Sequence, residues 1–81
     1  MYKKRRQVAI LGSTGSIGRQ ALEVISEHNN LFEVEVLTAN NNSSLLIDQA
    51  KKFKPNTVVI ANESKYKEVN DALFCFGIKV F

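Results

Sequence analysis

Seven residues near the start of the chain, Gly12-Ser13-Thr14-Gly15-Ser16-Ile17-Gly18, have the types and spacing to hold phosphate. Directly before them stands the apolar run Val8-Ala9-Ile10-Leu11, and after them Ile17, Ala21, Leu22 and Ile25 recur with helical spacing. A strand that turns sharply into a helix aims backbone N–H groups at the turn, and the helix dipole adds partial positive charge there. Parallel α/β proteins hold the pyrophosphate of a dinucleotide at such a turn. In this reading Gly12 releases the chain from the strand, Gly15 lets the backbone approach a pyrophosphate, and Gly18 lets the helix pack closely. The spacing G-x-x-G-x-x-G departs from the common G-x-G-x-x-G, so the weight rests on the strand before and the helix after. The alternative is a plain turn that uses glycine for geometry alone. A P-loop is excluded, because five residues separate Gly12 from Gly18 and Arg19-Gln20 follows where Lys-Ser/Thr is required.

The elements that must position this run alternate along the chain. A strand over about 7–11 leads into a helix over about 16–28, which Asn29-Asn30 breaks. A second strand covers 32–37. Asn40-Asn41-Asn42-Ser43 is a turn cluster, and Ser43 or Ser44 is placed to cap a helix whose apolar face is Leu46, Ala50 and Phe53. Pro55 ends that helix, and 57–61 is the most strand-like run in the chain. Asn62 or Ser64 caps a third helix with Tyr66, Val69, Leu73 and Phe76 at helical spacing, and Gly77 follows as its C-terminal cap. Residues 78–81 open a fourth strand. This βαβαβαβ order with short connections predicts an α/β fold, a Rossmann-like doubly wound parallel sheet with right-handed crossovers, strand order 3-2-1-4, cut short at the fourth strand. Glu33 and Glu35 alternate with apolar residues, whereas buried parallel strands are apolar on both faces, so that part of the second strand is expected to project beyond the helices.

An 81-residue chain makes at most one small domain, and a chain of that size buries only about 60–65% of its unfolded surface. The organisation expected is a basic tail, 1–6, and a partial dinucleotide-binding domain, 7–81. No apolar run approaches the roughly 20 residues of a membrane span. Lys3-Lys4-Arg5-Arg6 precedes an apolar run too short for a signal peptide, whose apolar region needs about 7–15 residues, so a cytoplasmic protein is expected. The net charge of +3 sits largely in that tail. It reads as a solvated terminus rather than a nucleic-acid footprint, since no aromatic platform or second basic stripe accompanies it. Cys75 is the only cysteine, so there is no internal disulfide, and it is expected as a small core or half-buried residue. His28 is the only histidine and stands near the end of the first helix, where a cation suits the dipole. No metal-ligand set and no acid–base pair is present, so no catalytic residue is assigned.

Cofactor type turns on the end of the second strand. An Asp or Glu there, about 20 residues beyond the glycine run, grips the adenosine ribose when the cofactor is NAD. Here the region reads Thr38-Ala39-Asn40-Asn41-Asn42, without a carboxylate to repel a 2′-phosphate. The amides of Asn40, Asn41 and Asn42 and the hydroxyls of Ser43 and Ser44 can donate to phosphate or ribose, at the start of a helix that favours an anion. The same asparagines also suit a turn, and the two roles are compatible.

Taken together, Ile10 to Gly18, Leu22-Glu23-Val24-Ile25, Phe32-Glu33-Val34, Leu37 to Asn42, Gln49 to Pro55 and Val58-Val59-Ile60-Ala61 resemble, in order, the N-terminus of the 1-deoxy-D-xylulose 5-phosphate reductoisomerase family. The resemblance covers nearly the whole chain after the basic tail. It implies an NADPH-dependent oxidoreductase of non-mevalonate isoprenoid biosynthesis, which isomerises and reduces 1-deoxy-D-xylulose 5-phosphate to 2-C-methyl-D-erythritol 4-phosphate with Mg²⁺ or Mn²⁺. Its cofactor contacts carry over to Thr14, Gly15, Ser16 and Ile17 at the pyrophosphate turn and to Asn40, Asn41 and Asn42 at the adenosine end. Where the family often has a basic residue to pair with the 2′-phosphate, this chain has Asn41. The family's enzymes are far longer, and the metal ligands and the phosphosugar contacts are expected beyond Phe81. The chain is thus expected to be inactive alone, to belong to a homodimeric parent, to bind neither nucleic acid nor membrane, and to self-associate through an unpaired edge. Two other readings stay open: another nicotinamide enzyme with the same turn, such as an aspartate-semialdehyde dehydrogenase-like or dihydrodipicolinate reductase-like protein, and a non-enzymatic nucleotide-binding module.

Overall fold

The computed structural model describes residues 5–81; of the expected basic tail, residues 1–4 lie outside the described residues. Strand β1 (Arg6–Ile10) leads into helix α1 (Ser16–Glu27), and β2 (Phe32–Ala39) into α2 (Ser43–Phe53). Strand β3 (Thr57–Ile60) is followed by a short 3-10 turn (Glu63–Lys65) and α3 (Tyr66–Leu73), then a second 3-10 turn (Phe74–Phe76) and β4 (Lys79–Val80).

The local signals explain most boundaries. Asn42, rather than Ser43 or Ser44, caps α2: its Oδ1 accepts the Leu45 N–H at 3.2 Å. Lys54 ends that helix in the left-handed region, φ 51°, since the following Pro55 disfavours a further helical residue there. Asn62 caps the first 3-10 turn, accepting from the Ser64 N–H at 3.0 Å and the Ser64 hydroxyl at 2.7 Å. Gly77 closes the last helical segment at φ 72°, the left-handed cap its position suggests.

The four strands are parallel, as the alternating pattern predicts, but their order is β1-β2-β3-β4 and not 3-2-1-4. Strand β4 adds to the outer edge of β3: the Lys79 N–H donates to the Asn56 carbonyl at 3.1 Å, the Phe81 N–H to that of Val58 at 2.9 Å, and the Ile60 N–H to that of Phe81 at 3.0 Å. Burial decides the order. Val69 and Leu73 of α3 join Leu46 and Ala50 of α2 in one buried cluster, so α3 lies beside α2, and Ile78 and Val80 extend that cluster. Right-handed crossovers that advance in one direction put all three helices on one face of the sheet. The edge of β1 away from β2, where β4 was expected, carries no strand among the described residues.

One covered face also accounts for Glu33 and Glu35. Glu35 is the extra residue of an irregularity in β2, where Val8 pairs Val34 but Ala9 pairs Val36. A bulge shifts the alternation by one, so Val34, Leu37 and Ala39 all reach the core despite their odd spacing. The two acids of the second strand stand half-buried and paired. Arg5 donates to Glu33 at 2.9 Å, and Asn56 gives both its backbone N–H and its Nδ2 to Glu35, at 2.9 and 3.1 Å. Cys75 is exposed rather than buried, because the chain tightens to 3-10 geometry after Leu73 and the helical phase is lost; Phe74 and Phe76 turn outward with it.

Candidate functional site

The glycine run forms the exit of β1 and the first turn of α1. Gly12 takes φ 71°, and an added Cβ would meet nothing within 4 Å, so the backbone conformation alone calls for glycine there. Gly18 is required by contact: a Cβ would lie 2.3 Å from the Gly12 carbonyl oxygen and 2.7 Å from the Ser13 Cα. The helix thus packs against the backbone of the turn itself. Gly15 is different again. Its φ is −79°, and a Cβ would stand 3.5 Å from the Gly12 carbonyl oxygen, an ordinary contact. The fold tolerates a side chain at Gly15, and its lack of one leaves the outer face of the turn open.

The turn is held from two other elements. At the end of β2, Thr38 accepts twice, the Gly12 N–H on its hydroxyl at 2.9 Å and the Ser13 N–H on its carbonyl at 2.8 Å. From α2, the buried Gln49 side chain donates to the Ser13 carbonyl at 2.8 Å. Inside the turn the Gly15 N–H donates to the Gly12 carbonyl at 3.1 Å. These bonds leave the N–H groups of Thr14, Ser16 and Ile17 with no acceptor among the described residues. Helix α1 also lacks a side-chain cap and has no acidic residue in its first turn, so its positive end is uncompensated.

Beside this turn lies an open crevice of about 620 Å³, lined by Ala9, Ile10 and Leu11 of the strand exit, by Gly12, Gly15, Ser16, Ile17 and Gly18, and by Ala21. It lies at the carboxyl end of β1, which has no strand on its side away from β2 among the described residues. Ile17 and Leu11 are 82% and 76% exposed, apolar side chains left in the open on its rim.

The asparagine cluster sits at the carboxyl end of β2, next to β1. Asn42 uses its Oδ1 for the α2 cap, and its amide nitrogen has no acceptor among the described residues. The Asn40 carbonyl accepts the Asn62 N–H at 2.9 Å, and Asn41 Oδ1 accepts from Asn62 Nδ2 at 2.8 Å, which leaves the amide nitrogens of Asn40 and Asn41 free of acceptors among the described residues. Asn40, Asn41 and Asn42 are all exposed, and α2 has no acidic residue in its first turn. Thr38 therefore brings both halves of the predicted site to one edge of the sheet. Sequence reasoning assigned no role to Thr38 or Gln49. The available signal was a polar residue, Gln49, on the apolar face of α2 among Leu46, Ala50 and Phe53. Among the described residues no group of three His, Cys, Asp or Glu side chains is placed to hold a metal ion.

A family model described as 1-deoxy-D-xylulose 5-phosphate reductoisomerase matches residues 8–80. The chain belongs to this family. The reductoisomerase of Bacteroides fragilis is 60% identical over 78 residues, 96% of this chain and 20% of its own length. The chloroplastic reductoisomerase of Oryza sativa subsp. japonica is 46% identical over 68 residues, 84% of this chain and 14% of its own. Among solved structures, the Zymomonas mobilis reductoisomerase in complex with NADPH superposes with a TM-score of 0.90 at 36% identity, over 95% of this chain and 20% of that one. A reductoisomerase in complex with NADPH, fosmidomycin and magnesium gives 0.87 at 26% identity, over 94% of this chain and 19% of that one. The chain spans about a fifth of the length of the reductoisomerases it matches.

Proposed function

We propose that residues 7–81 form part of the NADPH-binding domain of a reductoisomerase that converts 1-deoxy-D-xylulose 5-phosphate to 2-C-methyl-D-erythritol 4-phosphate in non-mevalonate isoprenoid biosynthesis. The observation that carries this reading is the α1 turn, whose N–H groups at Thr14, Ser16 and Ile17 face no internal acceptor beside a crevice kept open at Gly15. Those groups fit a pyrophosphate. Asn40, Asn41 and the start of α2 fit the adenosine end, with no carboxylate to repel a 2′-phosphate. Asn41 brings hydrogen bonding without charge, so NADPH preference rests on neutral donors and the helix end.

When bound, NADPH supplies hydride. The part of this chain is to seat the dinucleotide and fix its register along the β1 edge. No step is assigned to the divalent metal or the phosphosugar. No helix among the described residues is long and apolar enough to cross a membrane. A cytoplasmic location belongs to the same proposal. The unpaired edges of β1 and β4 support self-association, alongside homodimerisation of the whole enzyme.

Two measurements test the reading. Calorimetric titration of the chain with NADPH and NADH is expected to give weak binding that favours NADPH; micromolar NADH binding with none of NADPH contradicts the cofactor assignment. Replacing the matching fifth of the Bacteroides fragilis relative with this chain is expected to give a protein that oxidises NADPH only when 1-deoxy-D-xylulose 5-phosphate is present. A folded chimera without that activity counts against the reaction.

A further inference from the structure

We infer that Thr38 and Gln49 are positioning residues that set the dinucleotide-facing turn, an inference that rests on the NADPH reading of that turn. Gly12, at φ 71° with open space where a Cβ would stand, has little of its own to fix it. Three hydrogen bonds from β2 and α2 fix it instead: Gly12 N–H to Thr38 Oγ1 at 2.9 Å, Ser13 N–H to Thr38 O at 2.8 Å, and Gln49 Nε2 to Ser13 O at 2.8 Å. They take up the N–H groups of Gly12 and Ser13 and the Ser13 carbonyl, while the N–H groups of Thr14, Ser16 and Ile17 are left with no acceptor among the described residues. Ser13 is fully buried and Gln49 is 7% exposed, so water does not compete for this contact.

The bond from Gln49 also ties two ends of the site together. Gln49 lies on α2 seven residues beyond Asn42, the cap at the adenosine end. Helix α2 is thereby a rigid strut: its N-terminus carries the asparagine cluster, and its second turn holds the phosphate turn. Thr38, two residues before Asn40, makes the same link through β2. A ligand long enough to span both ends meets them at a preset distance, and preorganisation of that kind raises affinity without any contact from the positioning residues themselves.

The test follows amide signals of the isotope-labelled chain during NADPH titration, together with amide hydrogen exchange. In the wild type, saturable shifts are expected at residues 12–18; their absence defeats the NADPH reading itself. Thr38→Val keeps the branched shape and removes the acceptor. It is expected to speed exchange at Gly12 by about tenfold and weaken NADPH by roughly fivefold, the scale of one lost hydrogen bond. Thr38→Ser restores the acceptor and is expected to return both values to within about twofold of wild type. Gln49→Met, which keeps length and loses the donor, is expected to weaken NADPH similarly and carries the test should Thr38→Val lose the native spectrum. If wild type binds and Thr38→Val binds as well, or if Thr38→Ser fails to restore binding, the positioning role is overturned while the NADPH reading stands.

Discussion

The two ends of this sheet treat their polar groups in opposite ways. At the amino ends of the strands, charges and amides are matched within the chain: Arg5 and Gln7 both donate to Glu33, Arg5 reaches the Asn29 carbonyl, and Asn56 serves Glu35 through backbone and side chain. At the carboxyl ends a set of donors is left over. Thr38, Asn40 and Asn41 accept from neighbours, while N–H groups at Thr14, Ser16 and Ile17 and the amide nitrogens of Asn40 and Asn41 find no partner among the described residues. Even the helix starts differ along this edge. Asn42 caps α2 and Asn62 caps the segment leading to α3, but nothing caps α1. An end with matched groups stabilises; an end with surplus donors beside a crevice suits an anion.

The largest expected effect tests how tightly the receiving end is packed. Gly18→Ala drives a Cβ to 2.3 Å from a backbone oxygen that cannot swing away. Overpacking of this kind costs about 1–3 kcal/mol or more, and this site is expected at the upper end because backbone must move. Denaturant unfolding measures it; a midpoint equal to wild type removes the close helix contact from the comparison. Next comes a matched pair. Gly12 and Gly77 have φ of 71° and 72°, each with nothing within 4 Å of where a Cβ would stand. Alanine at either is expected to cost roughly 1–2 kcal/mol from the left-handed backbone alone. Only Gly12→Ala should also weaken NADPH. Equal loss of binding in both variants means that binding simply follows stability.

Gly15→Ala separates the two properties more sharply. With φ −79° and an ordinary 3.5 Å contact, alanine restricts the unfolded chain and is expected to leave stability unchanged or raise it by about 0.4–1 kcal/mol. The new methyl stands where a ligand must approach, so NADPH affinity is expected to fall by about tenfold or more, as overpacking of 1–3 kcal/mol in a contact implies. A variant that is more stable and binds equally well breaks the claim that the outer face of the turn is a binding surface.

What the sequence showed of this arrangement followed from local chemistry. Strand and helix types, the left-handed Gly77 and the glycine turn are each written in a few adjacent residues, and those were legible. Strand order was not, because it depends on where α3 finds apolar company, and Val69 and Leu73 could in principle cover either side of β1. Glu35 misled for the same reason: its bulge depends on pairing with β1, where Val8 faces Val34 and Ala9 faces Val36, and its side chain on Asn56, 21 positions away. Gln49 stood out in type, yet its partner is the carbonyl of Ser13, 36 residues away, and backbone acceptors leave no mark in a residue pattern. Asn42, a better cap than either serine beside it, shows how one position of slack at a helix start escapes propensity alone.

The amino end should give the smaller effects. Glu33→Gln keeps an acceptor for Gln7 and removes the charge opposite Arg5. Both side chains of that pair are more than two-fifths exposed, so solvent and salt screen it, and a loss under about 1 kcal/mol is expected, shrinking further at high ionic strength. NADPH affinity should not change. A binding loss here, comparable to that of Gly15→Ala, would show that the two ends are coupled through β2 rather than divided between stability and recognition.

The smallest effect is expected away from both ends. On α3 the fully exposed Lys67 ammonium donates to Asp71 at 2.8 Å, and this hydrogen bond, with the charge of Asp71, raises the lysine pKa above its usual value. A raised lysine pKa in the folded state contributes stability that is complete below the unfolded value of about 10.4 and is lost as pH climbs through the folded one. Between neutral pH and pH 9 the pair therefore adds no slope. Lys67→Met is expected to leave NADPH affinity unchanged and the thermal midpoint nearly so at neutral pH, and to flatten only the alkaline limb of a stability–pH curve. If instead its midpoint drops as far as that of Gly12→Ala, then α3 is held by more than the buried Val69 and Leu73, and the outer half of the sheet contributes to stability in a way that its packing does not account for.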